Sequence, residues 1–127
     1  MRETSRHSVT VLVFEPVSSF ETAVACEVFG LDRSDMSVPR YAFTVCTPEP
    51  GLLATKDGGF RIQVERGLAA LRRADTVICP GWYGRQGDPA HEDGAHEGER
   101  PAIGMAEPPK AALIALRAAH ARGARIV

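Results

Sequence analysis

"SVTVLVF", Ser8 to Phe14, is followed after five residues by "FETAVACEVFG", Phe20 to Gly30, and this pair of segments decides the fold. The first is short, apolar and rich in β-branched side chains. A strand that is apolar at successive positions is covered on both faces, as strands in parallel sheets are. "EPVSS" breaks it. In the second segment Phe20, Ala23, Val24 and Val28 recur at helical spacing and predict a helix, with Gly30 available as a left-handed cap. A strand running closely into a helix is the first half of a βαβ unit.

The same alternation continues outward. "RYAFTVCT" (Arg40 to Thr47) predicts a second strand. "PEPG" is a turn, and "LLATKDGGFRIQV" predicts a small hairpin around Asp57, Gly58 and Gly59. "GLAALRRAD" predicts a short helix with Leu68 and Leu71 on one side, and "DTVICPG" (Asp75 to Gly81) a third core strand stopped by Pro80 and Gly81. "PPKAALIALRAAHARG" predicts a helix with Pro109 at its start and Gly123 as its cap. "ARIV" opens a further strand. Between them, residues 85–106 are polar and glycine-rich, and a flexible surface loop is expected there. Strands alternating with helices predict an α/β fold with a mainly parallel sheet.

Composition bounds the function. The 127 residues include 15 basic and 16 acidic side chains, a formal charge of −1. That balance gives no nucleic-acid footprint, which needs a basic patch. "MRETSRHSV" has no apolar stretch after its charges, and the longest apolar runs, "AALIAL" and "VLVF", fall far short of the ~18 residues of a membrane span. No membrane contact and a cytoplasmic location are expected. Cys26, Cys46 and Cys79 are widely spaced with no CxxC, so free thiols are expected rather than disulfides or zinc. There is no G-x-G-x-x-G and no Walker loop, so no cofactor is expected.

Three stretches carry residues capable of chemistry. Ser18 and Glu21 satisfy the capping-box spacing, so Glu21 has a purely structural reading. Its other reading is a site carboxylate, because loops after parallel strands open at the ligand-binding edge of an α/β sheet. Cys79 ends a strand at that edge, but no neighbouring base marks it as a nucleophile, and a small buried hydrophobe is the plainer reading. Gly81 permits close backbone approach and an N–H donor, and Trp82 is placed to line a pocket or to cover the sheet edge. In "HEDGAHE", the i, i+5 spacing of His91 and His96 does not suit one helix face, so a solvated loop is expected and no metal site.

"VTVLVFEPVSSFETAVACEVFGLDR", "YAFTVCTPEPG", "GLAALRRADTVICPGW" and "ALIALRAAHARGARIV", in that order, resemble the ThiJ/PfpI superfamily, also described as class I glutamine-amidotransferase-like. More narrowly they resemble the N-terminal domain of AraC-type transcriptional regulators. The resemblance implies a flavodoxin-like sheet with helices on both faces. It implies an acidic residue early in the first helix, matched by Glu21, a backbone donor matched by Gly81, and a nucleophile on a strand-to-helix elbow that follows the strand matched by "ARIV". The chain given stops at Val127, before that elbow. The expectation is therefore residues 1–127 as the N-terminal portion of such a domain, non-catalytic as given, truncated before the elbow and without the helix-turn-helix domain. The parent would take a small-molecule effector, form a homodimer, and touch DNA only through the absent C-terminal domain. The alternative is a fragment of a cysteine enzyme of the same superfamily, a hydrolase, hydratase, deglycase or amidotransferase-like protein.

Overall fold

The computed structural model describes residues 6–81 and 108–127. In chain order these form β1 (Ser8–Leu12), α1 (Ser19–Ala25), β2 (Ala42–Cys46), β3 (Gly51–Ala54), β4 (Arg61–Val64), β5 (Thr76–Ile78), α2 (Lys110–Ala121) and β6 (Arg125–Ile126). Four strands make one parallel sheet in the order β2-β1-β5-β6, and β3 and β4 pair as an antiparallel hairpin. The most apolar strand takes a central place: Val11 of β1 sits beside Val45 of β2 and Ile78 of β5.

Side chains of β1 alternate between two covered faces, as the pleat requires. Val11 and Val13 pack with Val17, Ala25, Leu53 and Val64, beneath α1 and the hairpin. Leu12 and Phe14 pack with Leu71, Val77, Ala112 and Ala119, beneath α2 and a 3-10 turn over Leu68–Arg73. The result is the expected α/β, flavodoxin-like arrangement, with helices on both faces of a mainly parallel sheet. Thr10 is also buried, at 1 % exposure.

The end of α2 follows the predicted cap. Gly123 has φ +96°, its N–H donates to the carbonyl of His120, and the Ala124 N–H donates to that of Ala119. These two bonds form a Schellman motif, which satisfies carbonyls that the helix end leaves open. The Arg122 guanidinium then donates to the Leu71 carbonyl at 2.6 Å, tying α2 to the 3-10 turn. The hairpin also falls where expected. Gly58 takes φ +72° in its turn, and the Thr55 hydroxyl closes the loop onto the Phe60 carbonyl at 2.7 Å.

The first helix forms where its spacing predicts. Its buried residues are Thr22 and Ala25, whereas Phe20, Val24 and Val28 are 77 %, 45 % and 48 % exposed. Small side chains let α1 lie close on the sheet, and the bulky apolar stripe therefore faces outward. Gly30 is not a left-handed cap. It ends a π-helical turn over Cys26–Gly30 that continues α1. What it supplies is room: a Cβ there would stand 3.1 Å from the ring of Phe43. The capping box is also half unmade, since Ser18 takes the N-cap position but its side chain makes no cap bond.

Candidate site at the switch point of the sheet

Chain order reverses between β1 and β5. From β1 the sheet runs to β2 on one side, and from β5 to β6 on the other. Such a reversal parts the loops beyond the strands and opens a crevice outside their carboxyl ends, where ligands bind in open α/β sheets. Here the flanking loops are residues 13–18, after β1, and residues 79–81, after β5.

The first loop is held firmly. The Val13 N–H donates to the Cys46 carbonyl, the Val17 N–H to the Ala54 carbonyl, and the Lys56 N–H to the Val17 carbonyl, each at 2.9 Å. The Glu15–Pro16 peptide is cis. A Glu15 carboxylate oxygen accepts the Ala54 N–H at 3.0 Å. The Ser19 hydroxyl donates to Asp57 at 3.0 Å, so the hairpin tip also grips the start of α1. That bond holds the Asp57 carboxyl below the usual carboxylate range.

Glu21 is half-buried in the first turn of α1, and Gly81 is exposed three residues beyond Ile78. The topology thus assigns both to elements that flank the same crevice. Trp82 lies outside the described residues, as do His91, His96 and the 85–106 segment. Asp57 and Glu15 were not singled out from the sequence. A carboxylate immediately before a proline, and an aspartate opening a Gly-Gly turn, are the signals that mark them in retrospect.

The thiols point away from nucleophilic chemistry. Leu12 pairs with Cys46, and one register step past the Val11–Ile78 pair brings Cys79 to its other side. Burial, with a smaller contribution from the nearby Cys79, pushes the Cys46 thiol up to about 12. Burial also raises Cys79, and it raises Cys26 despite an opposing backbone hydrogen bond. A nucleophilic thiol needs the opposite shift, because the thiolate is the reactive form.

Two of the recesses among the described residues lie elsewhere. A groove of about 530 Å³ runs between α1 and the hairpin, lined by Thr22, Ala23, Cys26, Phe60, Ile62 and Arg66 among others. Thr22 is 6 % exposed, and its buried hydroxyl has no hydrogen-bond partner among the described residues. The other recess, about 420 Å³, sits at the amino edge of the sheet beside His7, Asp75, Thr76 and Arg125. Its polar groups largely bond one another: His7 pairs with the Thr76 hydroxyl at 2.9 Å, and Asp75 accepts the Ser8 N–H at 2.8 Å.

Among the described residues no group of three or more His, Cys, Asp or Glu is gathered to hold a metal, and no helix is long and apolar enough to cross a membrane. No family model matches the chain, and no curated protein matches it either.

Proposed function

We propose that this chain is the N-terminal portion of the ligand-sensing or dimerisation domain of an AraC-type transcriptional regulator, built on a ThiJ/PfpI-like fold and non-catalytic as given. The observation that supports this reading is the strand order: β1 and β5 are neighbours at the switch point, with Glu21 on the helix that follows β1 and Gly81 in the loop that follows β5. A carboxylate and a backbone N–H can bind and orient a small polar effector without attacking it. In the parent protein the effector would seat in that crevice, and DNA would be read by a separate C-terminal domain. The raised thiols weigh only against Cys26, Cys46 or Cys79 as a nucleophile; the cysteine enzyme of the alternative would carry its nucleophile on the elbow after the strand that holds Ile126.

The coding DNA beyond codon 127 tests the proposal. A serine- or cysteine-containing elbow soon after Val127, followed by roughly 100 residues with two basic helix-turn-helix units, is the expected result. An open frame that ends near ~200 residues in total, with a cysteine elbow, would favour the enzyme. Neither elbow nor helix-turn-helix in any frame would overturn the regulator reading.

A further inference from the structure

The groove between α1 and the β3–β4 hairpin has no part in the proposed function. None of its lining residues belongs to the two loops that flank the switch-point crevice. Its volume, about 530 Å³, falls within the ~300–1,000 Å³ of small-molecule sites. Ala23 of α1, Val45 of β2, Ile62 of β4 and Phe60 of the hairpin loop give it an apolar lining. Phe60 is 53 % exposed, and an aromatic side chain left open in this way is well covered by a second ring, offset or edge-on.

Thr22 is the buried polar residue of this lining, and its hydroxyl has no hydrogen-bond partner among the described residues. An unpaired buried hydroxyl is costly, and a ligand that pairs with it recovers that cost. The hydroxyl is closed to water in the empty groove. In a helix, however, threonine populates two χ1 rotamers, so a single rotation turns hydroxyl for methyl toward the groove. Charge narrows the ligand further. Glu65 and Arg66 are both exposed members of the lining and opposite in sign, so neither a net anion nor a net cation is favoured. A charged group set among Phe60, Ile62 and Val45 would also lose its hydration without a partner. The complement of the groove is a neutral ring with one polar oxygen.

We infer that the groove between α1 and the hairpin is a binding site for a small neutral aromatic alcohol or ketone, whose oxygen bonds the Thr22 hydroxyl and whose ring lies against Phe60. The site is separate from the crevice and does not rest on the regulator reading. Amide NMR on the full chain, titrated with p-cresol, toluene and benzoate, provides the test. The expected result is saturable shifts for p-cresol, confined to the groove segments 19–26, 45 and 60–66. Half-saturation should fall on the order of 1 mM, with toluene, which lacks the oxygen, weaker by about tenfold. Thr22→Val should bring p-cresol to the affinity of toluene and leave toluene unchanged, whereas Thr22→Ser, which keeps the hydroxyl, should preserve the difference. Phe60→Ala should weaken both ligands together. Lack of saturable binding by about 10 mM would overturn the inference, as would a chain with no dispersed amide spectrum. So would toluene binding as tightly as p-cresol, benzoate binding more tightly, shifts centred on α2, or p-cresol binding that Thr22→Val leaves unaltered. None of these results depends on the sequence downstream of Val127, so the inference and the regulator reading can fail separately.

Discussion

At the scale of single residues, Thr22 and Cys46 are polar groups placed where the core needs small volume. Thr22 lets α1 sit close to the sheet, but its hydroxyl is buried without a partner among the described residues. A buried unsatisfied hydroxyl costs ~1–3 kcal/mol, and valine has nearly the same shape and helix propensity. Thr22→Val should therefore stabilise the chain by roughly 1 kcal/mol, read as a rise in urea midpoint with unchanged slope. A lower midpoint would mean that the hydroxyl is bonded in solution. Cys46 tells on pH. Its thiol lies at about 12 in the folded chain against an ordinary value of 9.0, because burial disfavours the thiolate. A pKa raised on folding means stability is fully present below about pH 9 and is lost as pH climbs through the folded value, by up to ~1.4 kcal/mol per unit. Between about pH 8 and about pH 10.5 the native chain should lose stability more steeply than Cys46→Ala, in which that titration is gone. Equal slopes in the two proteins would show that Cys46 does not carry the effect.

Among the elements, α1 is where the sequence was least legible. The helix itself was plain from its spacing, but the spacing of Phe20, Ala23, Val24 and Val28 did not tell which side is buried. Periodicity marks an apolar face without saying what covers it. Here Ala25 and Thr22 meet the sheet, while the larger apolar residues are left on the surface. Gly30 was read as a cap for the same reason: proximity to the ring of Phe43 is a tertiary fact that no local pattern carries. Gly123 was legible because a Schellman cap is local. The contact between Ser19 and Asp57 belongs to this scale too, since it ties two elements 38 residues apart. The Ser19 hydroxyl is the main cause of the depressed Asp57 carboxyl, so the folded form favours the carboxylate. The latch is complete above the ordinary carboxylate pKa and is lost as pH falls through the lower folded value. Ser19→Ala should move the Asp57 titration upward in a carbon-detected NMR pH series. A titration that stays put in the variant would mean the bond is not populated in solution.

For the whole molecule, the parallel sheet was legible from the alternation of strand and helix, whereas the order β2-β1-β5-β6 came only from the structure. The crevice was legible only as a consequence of that order. Glu21 and Gly81 are 60 positions apart and share an edge because β1 and β5 are neighbours. Gradients of stability should follow the same order. β1 is bonded on both sides, and Val9, Val11 and Leu12 are at most 1 % exposed. β6 is paired on one side, through the Arg125 and Val127 N–H groups to the Asp75 and Val77 carbonyls, and Ile126 and Val127 are 38 % and 64 % exposed. Amides exchange through the cheapest opening that frees them, and an edge strand with little apolar cover opens well below the global free energy. Native-state hydrogen exchange should therefore rank the β1 amides slowest, with Arg125 and Val127 faster by about tenfold or more, equivalent to ~1.4 kcal/mol of local opening. Protection of Val127 equal to that of the β1 amides would mean that β6 opens only with the whole sheet, and that its outer edge is covered in solution.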